Sequence, residues 1–122
     1  MTKRILSIED QEDNRRIVRD LMTSVGYEVI EAVRGDEGVT LAEQSNPDLI
    51  LMDIQLPGFD GYEATRRIKA NPKLRRIPII VVTSYALSGD EEKAKAAGCD
   101  AYLAKPFDAM KLLTLVRQYL NS

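Results

Sequence analysis

The sequence predicts an α/β domain in which helices cover both faces of a parallel, five-stranded sheet. Five short apolar runs begin about 20–30 residues apart, and a segment with helical spacing follows each of them. A strand followed by a helix, repeated five times, is typical of a doubly wound fold. The 122 residues are therefore interpreted as a single domain, residues 1–122.

Each apolar run is too short for a helix and ends in polar or turn-forming residues, so each is predicted to be a strand. The five runs are residues 5–8, 29–30, 49–52, 79–82 and 101–104. The second run is flanked by Glu28 and Glu31, and the fifth is short and rich in alanine. Because continuously apolar strands suit the middle of a sheet, these two are expected at its edges. The order 2-1-3-4-5 of a flavodoxin-like fold meets this condition.

The segments between the strands have the spacing of amphipathic helices. In the first, Ile17, Leu21 and Val25 recur at four-residue steps with Val18 and Met22 beside them, and Gly26 follows as a stop signal. The second is expected to begin with Asp36 as its N-cap. The helices after the first are predicted over about residues 36–45, 62–70, 89–97 and 108–120.

The composition excludes several classes of function. The 17 basic residues against 19 acidic ones give a net charge of −2, which argues against nucleic-acid binding driven by bulk charge. Histidine is absent, so Ser-His-Asp triads and histidine metal sites are excluded. Cys99 is the only cysteine, which fits a reducing, cytoplasmic location. No segment reaches the ~18 apolar residues of a membrane span, so no contact with a membrane is expected.

Polar side chains follow the strands at one edge of the predicted sheet. Right-handed crossovers bring the carboxyl ends of parallel strands together, and ligands of such folds bind there. The residues at these ends are Glu9 and Asp10 (strand 1), Asp53 (strand 3), Thr83 (strand 4) and Lys105 (strand 5). Neighbouring strands lie only ~5 Å apart, so three carboxylates there repel one another unless a cation joins them. Oxygen ligands alone favour a hard cation, Mg²⁺ before Ca²⁺.

The lysine and the threonine complete a receptor for a phosphoryl group. Lys105 lies two strands, or ~10 Å, from Asp53, a gap that a long side chain can span to bring positive charge beside Asp53. Thr83 is one strand away, so a short hydroxyl suffices. A carboxylate beside a divalent ion, an ammonium and a hydroxyl can attack phosphorus and form an aspartyl phosphate. Each residue alone could be an ordinary surface or turn residue, so the prediction depends on all of them meeting at one edge.

Five sequence motifs stand at the strand ends and in the turns. They are IED at 8–10, LMDIQLPGFDG at 51–61, VTS at 82–84, GCDAY at 98–102 and KPF at 105–107. With these motifs the chain resembles the receiver domains of two-component response regulators, the CheY-like family. The resemblance extends over essentially the whole chain, from about residue 4 to residue 120.

The resemblance implies a metal site and a phosphorylation site. Asp53 corresponds to the phosphoacceptor. Glu9 and Asp10 correspond to the acidic pair that holds Mg²⁺, with Asp53 and the backbone carbonyl of Gln55 as the other protein ligands.

The resemblance also implies residues that respond to phosphorylation. Lys105 and Thr83 correspond to the lysine and the hydroxyl that contact the phosphoryl group. Thr83 and Tyr102 correspond to the switch pair. A cis peptide bond is expected between Lys105 and Pro106.

In this family the phosphoryl donor is a phosphohistidine on a sensor histidine kinase or a histidine phosphotransfer protein. The receiver is not an enzyme beyond promoting its own phosphorylation and dephosphorylation. Its conformational change is expected to reach protein partners through helix 4, strand 5 and helix 5. No output domain is expected after Leu120, and with the stretches 53–57, 89–92 and 98–99 the chain resembles single-domain cell-cycle regulators of the DivK type. Two departures, Glu9 for the commoner Asp and Ser7 for an apolar residue, leave the predicted function unchanged.

Other functions remain open at the level of sequence. A flavodoxin-like electron carrier shares the fold but needs a glycine- and hydroxyl-rich phosphate loop after strand 1, where this chain has the acidic stretch 9–12. A phosphohydrolase with an aspartate nucleophile usually has a second Asp at the position of Gln55. A receiver that acts as a phosphorylation-independent binding scaffold is a third possibility, against which the complete site argues. Flavin absorbance distinguishes the first alternative.

Overall fold

The computed structural model describes residues 2–83, 90–105 and 108–120, and strands alternate with helices through them. The elements are β1 (Arg4–Ile8), α1 (Glu12–Ser24), β2 (Glu28–Ala32), α2 (Gly35–Ser45), β3 (Leu49–Met52), α3 (Gly61–Ala70), β4 (Ile79–Thr83), α4 (Asp90–Ala97), β5 (Ala101–Ala104) and α5 (Ala109–Leu120). All neighbouring strands are parallel, in the order β2-β1-β3-β4-β5. The predicted fold class and strand order are therefore confirmed.

The edge strands are the two that the sequence predicts. β3 and β4 are buried along their whole length, as their continuous apolar runs require. β5 is half-buried throughout, and β2 has Glu28 exposed at its start. The charged and alanine-rich runs therefore lie where a sheet has only one neighbouring strand.

Two apolar cores lie on opposite faces of the sheet, because successive residues of a strand point to opposite sides. The core facing α2, α3 and α4 includes Leu6, Ile8, Ile50, Met52, Ile68, Ile79, Val81 and Ala94. The core facing α1 and α5 includes Ile5, Val18, Met22, Leu49, Leu51, Ile80, Val82, Leu112 and Val116. This alternation continues past the strand ends, where it assigns each polar side chain to one face.

The start of α2 corrects one prediction. The helix begins at Gly35 with Arg34 as its N-cap residue, so the prediction of Asp36 as N-cap is wrong. Asp36 lies in the first turn and accepts a hydrogen bond from Arg34 Nε at 3.0 Å. The Gly35 amide donates to the carbonyl of Pro57 at 3.0 Å, an acceptor that comes from a loop distant in the sequence.

The apolar side of α1 packs on the sheet largely as its spacing predicts. Val18 and Met22 are buried, and Leu21 and Val25 pack against the same core. Ile17 is the exception, because it is 55% exposed at the rim of this face. Gly26 follows the helix with φ 93°, a conformation that suits glycine, so the predicted stop is confirmed. Across the described ranges, no helix has both the length and the apolar character needed to cross a bilayer.

Candidate functional site

Three charged side chains come together just beyond the carboxyl ends of β1, β3 and β5. The main-chain amides of Glu9, Asp53 and Lys105 each donate to a carbonyl of a neighbouring strand, at 2.7–3.0 Å. These hydrogen bonds extend the sheet by one residue on each strand. By the alternation of the strands, the three side chains lie on the face of the sheet toward α1 and α5. The topology therefore brings together residues that are far apart in the sequence.

The Lys105 ammonium bridges the two buried carboxylates. Its Nζ lies 2.5 Å from Glu9 Oε1 and 3.8 Å from Asp53 Oδ2. The sequence places positive charge beside Asp53, and the structure puts the ammonium there but closer to Glu9. The Lys105 side chain is only 13% exposed, so little water screens these charges. Such a pair offsets the cost of burying its charges only when its geometry is good.

The surroundings of Asp53 disfavour the ionised form of its carboxyl group. Burial and the neighbouring charge of Glu9 raise the pKa of Asp53 from 3.8 to about 6, although Lys105 opposes the shift. The amide of Ile54 donates to Asp53 Oδ1 at 2.7 Å and acts in the same direction as Lys105. A cation at this carboxylate would favour its ionised form. The environment of Asp53 therefore favours either a proton or a further positive charge.

Glu9, Asp10 and Asp53 can reach a common metal ion. Each offers a carboxylate oxygen, and the three oxygens lie within 4.8 Å of one another. Asp10 is more exposed than the two buried acids, and the second oxygen of Glu9 accepts from the Gln11 amide at 3.2 Å. Three carboxylates with one ammonium leave an excess of two negative charges. This donor set fits a hard divalent cation that keeps some of its water.

The remaining predicted site residues occupy two regions. Gln55 is exposed in the loop after β3, next to the buried Ile54. Thr83 ends β4 and is completely buried. Tyr102, in β5, is half-buried against the core that faces α2, α3 and α4. Thr83 and Tyr102 therefore lie on the face toward α4, opposite to the three charged groups. The predicted cis bond before Pro106 lies outside the described residues.

Two features of the site were not predicted from the sequence. Arg15, one turn into α1, donates from Nη1 to the carbonyl of Glu9 at 3.0 Å and so fixes the backbone beside the acidic pair. A cavity of about 420 Å³ opens next to Asp53 between α1 and α5, with an apolar wall that includes Ile17 and Val82. Ser7 also lines this cavity, where a larger apolar side chain would occupy more of the space. In the sequence, only the serine at a usually apolar position indicated the cavity. Nothing in the sequence indicated the hydrogen bond of Arg15.

The fold and the site define a class of protein that known sequences also identify. Residues 5–117 match the family described as the response regulator receiver domain. The chain belongs to this family, and its function is that of a phosphoacceptor response regulator in two-component signalling. The family consists of response regulators and not of conventional enzymes, which decides against the electron carrier and the phosphohydrolase.

Individual relatives match the chain over almost its whole length. The polar-differentiation response regulator DivK of Brucella ovis is 44% identical over 121 residues, which cover 99% of this chain and 98% of the relative. The same regulator of Brucella anthropi is 43% identical over the same shares of both chains. The resemblance to the DivK type that the motifs predict therefore has support along the full sequence.

Solved structures give the same result for the fold. The receiver domain of the sensor histidine kinase PA1611 of Pseudomonas aeruginosa PAO1 is 40% identical, with a TM-score of 0.92 and complete coverage of both chains. That structure has a magnesium ion coordinated in its active-site cleft. The chemotaxis protein CheY4 of Vibrio cholerae has a TM-score of 0.91 at 26% identity, with 98% of this chain and 100% of that chain covered.

Proposed function

We propose that Asp53 is the phosphoacceptor and that Glu9, Asp10, Asp53 and the Gln55 carbonyl hold Mg²⁺. The observation that carries the proposal is the meeting of Glu9, Asp53 and Lys105 in one partly enclosed cleft. Asp53 is the carboxylate at the centre of this cluster, in contact range of both the acid and the ammonium. The magnesium ion in the related receiver of PA1611 supports the same choice of metal.

The reaction needs no proton from the acceptor. An ionised oxygen of Asp53 forms a bond to phosphorus while the bond from phosphorus to the histidine nitrogen of the donor breaks. The bonding electrons return to that nitrogen, and because the other ring nitrogen of the donor carries a proton, the imidazole leaves as a neutral ring. Bound Mg²⁺ offsets charge on the phosphoryl oxygens. Lys105 supplies a second positive charge, and the Thr83 hydroxyl, at the end of the neighbouring strand β4, would turn toward the product and donate a hydrogen bond to it.

The metal and the acceptor also explain the electrostatics of Asp53. Its raised pKa would leave part of the carboxyl protonated near pH 6 in the metal-free protein. A divalent cation at Glu9, Asp10 and Asp53 favours the ionised nucleophile. Phosphorylation and its reversal by water are therefore expected to depend on the metal, and in this limited sense the protein promotes reactions of its own side chain.

The proposed signalling route begins at the phosphoryl group and ends at a protein surface. The donor is a sensor histidine kinase or a histidine phosphotransfer protein in the cytoplasm. Thr83 and Tyr102 act as the switch, and partner proteins read the change on α4, β5 and α5. The similarity to DivK supports a role in the control of polar differentiation or the cell cycle.

The test uses a small phosphodonor, acetyl phosphate with Mg²⁺, and intact-mass analysis followed by peptide mapping. The wild-type protein should gain one phosphoryl group at Asp53, and Asp53→Asn should gain none. Asp20→Asn is the matched control, because Asp20 is an exposed acid on α1. Labelling of Asp53→Asn at the wild-type level would refute the assignment. A protein that binds its partners but never gains a phosphoryl group would instead be a scaffold.

A further inference from the structure

The loop between β3 and α3, residues 53–60, contains the proposed carbonyl ligand Gln55 and is fixed at both ends. At its start, the amide of Gly61 donates to the carbonyl of Ile54 at 2.8 Å. At its end, Asp60 Oδ1 accepts from the Glu63 amide at 2.9 Å and caps α3. The middle of the loop needs a separate support, because these bonds do not reach Pro57 and Gly58.

That support comes from the β2–α2 turn, residues 33–36. The Gly35 amide donates to the carbonyl of Pro57 at 3.0 Å. The two segments approach so closely that a Cβ atom on Gly35 would lie 1.8 Å from the carbonyl oxygen of Phe59. The contact is therefore between two backbones, and a side chain at Gly35 would separate them.

Gly58 packs against an ion pair of the same turn. A Cβ atom on Gly58 would lie 2.4 Å from Asp36 Oδ1 and 3.0 Å from Arg34 Nη2. Arg34 Nε donates to Asp36 Oδ1 at 3.0 Å, so the ion pair packs against the loop at Gly58. The Arg34 guanidinium also holds the pKa of Asp36 below its usual value, which keeps this carboxylate ionised. Gly58 itself has φ 75°, a conformation that only glycine adopts readily.

We propose that the β2–α2 turn is a positioning element for Mg²⁺, acting through the β3–α3 loop. Gln55 lies two residues before Pro57 and three before Gly58, so we expect a shift of these contacts to move its carbonyl. Mg²⁺ demands near-ideal octahedral geometry, and small displacements of one ligand weaken its binding. The inference rests on the proposed metal role of Gln55 and adds Arg34, Asp36 and Gly58 as residues that set the affinity.

A substitution of Arg34 distinguishes a positioning role of the turn from a purely electrostatic effect on Mg²⁺. Removing a positive charge from the protein should strengthen Mg²⁺ binding, however slightly, if only Coulomb forces act. Removing a support of the loop should weaken it. We expect Arg34→Ala to bind Mg²⁺ about two-fold more weakly than the wild type, which is ~0.4 kcal/mol at 1.4 kcal/mol per factor of ten.

Gly58→Ala tests the contact directly, and Gly26→Ala is its matched control. Both glycines have positive φ, 75° and 93°, so an alanine strains the backbone at each. A Cβ atom at Gly26 meets nothing within 4 Å, whereas one at Gly58 meets the ion pair. We expect Gly58→Ala to weaken Mg²⁺ about five-fold, or ~1 kcal/mol on the same scale. Gly26→Ala should lower the thermal midpoint but keep the wild-type Mg²⁺ affinity.

The measurement is calorimetric titration of the intact chain with Mg²⁺, after circular dichroism has verified the fold of each variant. At saturating Mg²⁺, the rate of phosphorylation of Gly58→Ala should return to near the wild-type rate. If Arg34→Ala binds Mg²⁺ as tightly as the wild type or more tightly, the positioning role is wrong, even where Gly58→Ala cannot be purified. If the wild type itself binds no Mg²⁺, the proposed metal site fails instead.

Discussion

The ammonium of Lys105 lies 2.5 Å from a carboxylate oxygen of Glu9 and 3.8 Å from one of Asp53. In the absence of metal, Lys105 therefore neutralises Glu9 more than it neutralises the proposed acceptor. A cation that takes Glu9 as a ligand competes with Lys105 for the same oxygens. The displaced ammonium would remain within reach of Asp53 and of a phosphoryl group on it.

This competition predicts how Lys105→Met responds to Mg²⁺. Without the ammonium, Glu9 and Asp53 repel each other, so the free energy of unfolding should fall by about 3–5 kcal/mol. Mg²⁺ relieves a larger repulsion in the variant and should raise its thermal midpoint by more than it raises that of the wild type. Lys111→Met, at an exposed position of α5, is the control and should respond as the wild type does. Equal Mg²⁺-induced shifts in all three proteins would contradict the competition.

The raised pKa of Asp53 predicts a pH dependence of stability in the metal-free protein. The folded state holds the proton up to about pH 6, whereas the unfolded chain releases it near 3.8. Stability from this group is therefore fully present below pH 3.8 and is lost as the pH rises through 6. Since a shift of one pKa unit is worth about 1.4 kcal/mol, we expect Asp53→Asn to be more stable than the wild type by up to about 3 kcal/mol at pH 7.

Denaturant unfolding at pH 4, 5, 6 and 7 measures this difference. The advantage of Asp53→Asn should shrink toward pH 4, and Mg²⁺ at pH 7 should reduce it by stabilising the wild type alone. A difference that stays constant with pH would mean that Asp53 is not the titrating group.

Asp10→Asn tests the metal ligands without disturbing the buried pair. The substitution removes a ligand charge, so Mg²⁺ affinity should fall by at least about ten-fold. The metal-free protein should be as stable as the wild type or slightly more stable, because repulsion among the acids decreases. Asp13→Asn removes the same charge from the first turn of α1, away from the cluster. If both variants lose affinity equally, the effect is long-range electrostatics and Asp10 is not a ligand.

The parts of the fold that the sequence predicts are those set by patterns along one segment. The two edge strands follow from the continuous apolar runs of the others and from the charged flanks of β2, and the common doubly wound order then places the three inner strands. The site follows from polar residues at the strand ends, because the topology brings those ends together. Whether the Lys105 ammonium lies closer to Glu9 or to Asp53 could not be predicted, since its long side chain reaches both.

Contacts between segments that are distant in the sequence could not be predicted for a related reason. Asp36 is a residue type that commonly serves as an N-cap. The Pro57 carbonyl, however, accepts a hydrogen bond from the Gly35 amide, and the helix starts one residue earlier. Ile17 fits the apolar period of α1 as well as Val18 does, and only the packing on the sheet decides which is buried. Local propensity offers the alternatives, and tertiary contacts select among them.

A polar network at the opposite end of the sheet predicts a stability effect that spares the site. Lys69 Nζ donates to the carbonyls of Arg75 and Ile77 and pairs with Asp100 at 2.9 Å. The same carboxylate oxygen of Asp100 accepts from the Ile79 amide at 2.8 Å, so the network joins α3 to the starts of β4 and β5.

We expect Lys69→Met to lower the free energy of unfolding by about 2–3 kcal/mol, because it leaves these acceptors without their charged donor. Lys73→Met, at an exposed position after α3, should change stability by less than about 0.5 kcal/mol. Mg²⁺ affinity and phosphorylation should stay at wild-type values in both variants. Chemical denaturation and calorimetric titration measure the two effects, and a loss of Mg²⁺ binding in Lys69→Met would show that the ends of the sheet are coupled.

The last prediction concerns the proposed switch. The buried side chains described in α4 are Ala94 and Ala97, so this helix gains little from burial and should open at low cost. Thr83 ends β4 on the same face of the sheet as Tyr102 in β5. A phosphoryl group at Asp53 adds negative charge and strong acceptors, toward which the Thr83 hydroxyl would move. Phosphorylation then shifts an existing equilibrium between two arrangements of this face.

Amide hydrogen exchange with and without beryllofluoride and Mg²⁺ can follow this shift, because beryllofluoride mimics the phosphoryl group. We expect changed exchange in α4 and β5 as well as around Asp53. Thr83→Ala should confine the changes to the surroundings of Asp53, since the link from the acceptor to the α4 face is lost. Thr40→Ala, at an exposed position of α2, should behave as the wild type does. If the wild type shows no change over residues 90–105, or if Thr83→Ala retains the full change there, another route must carry the signal.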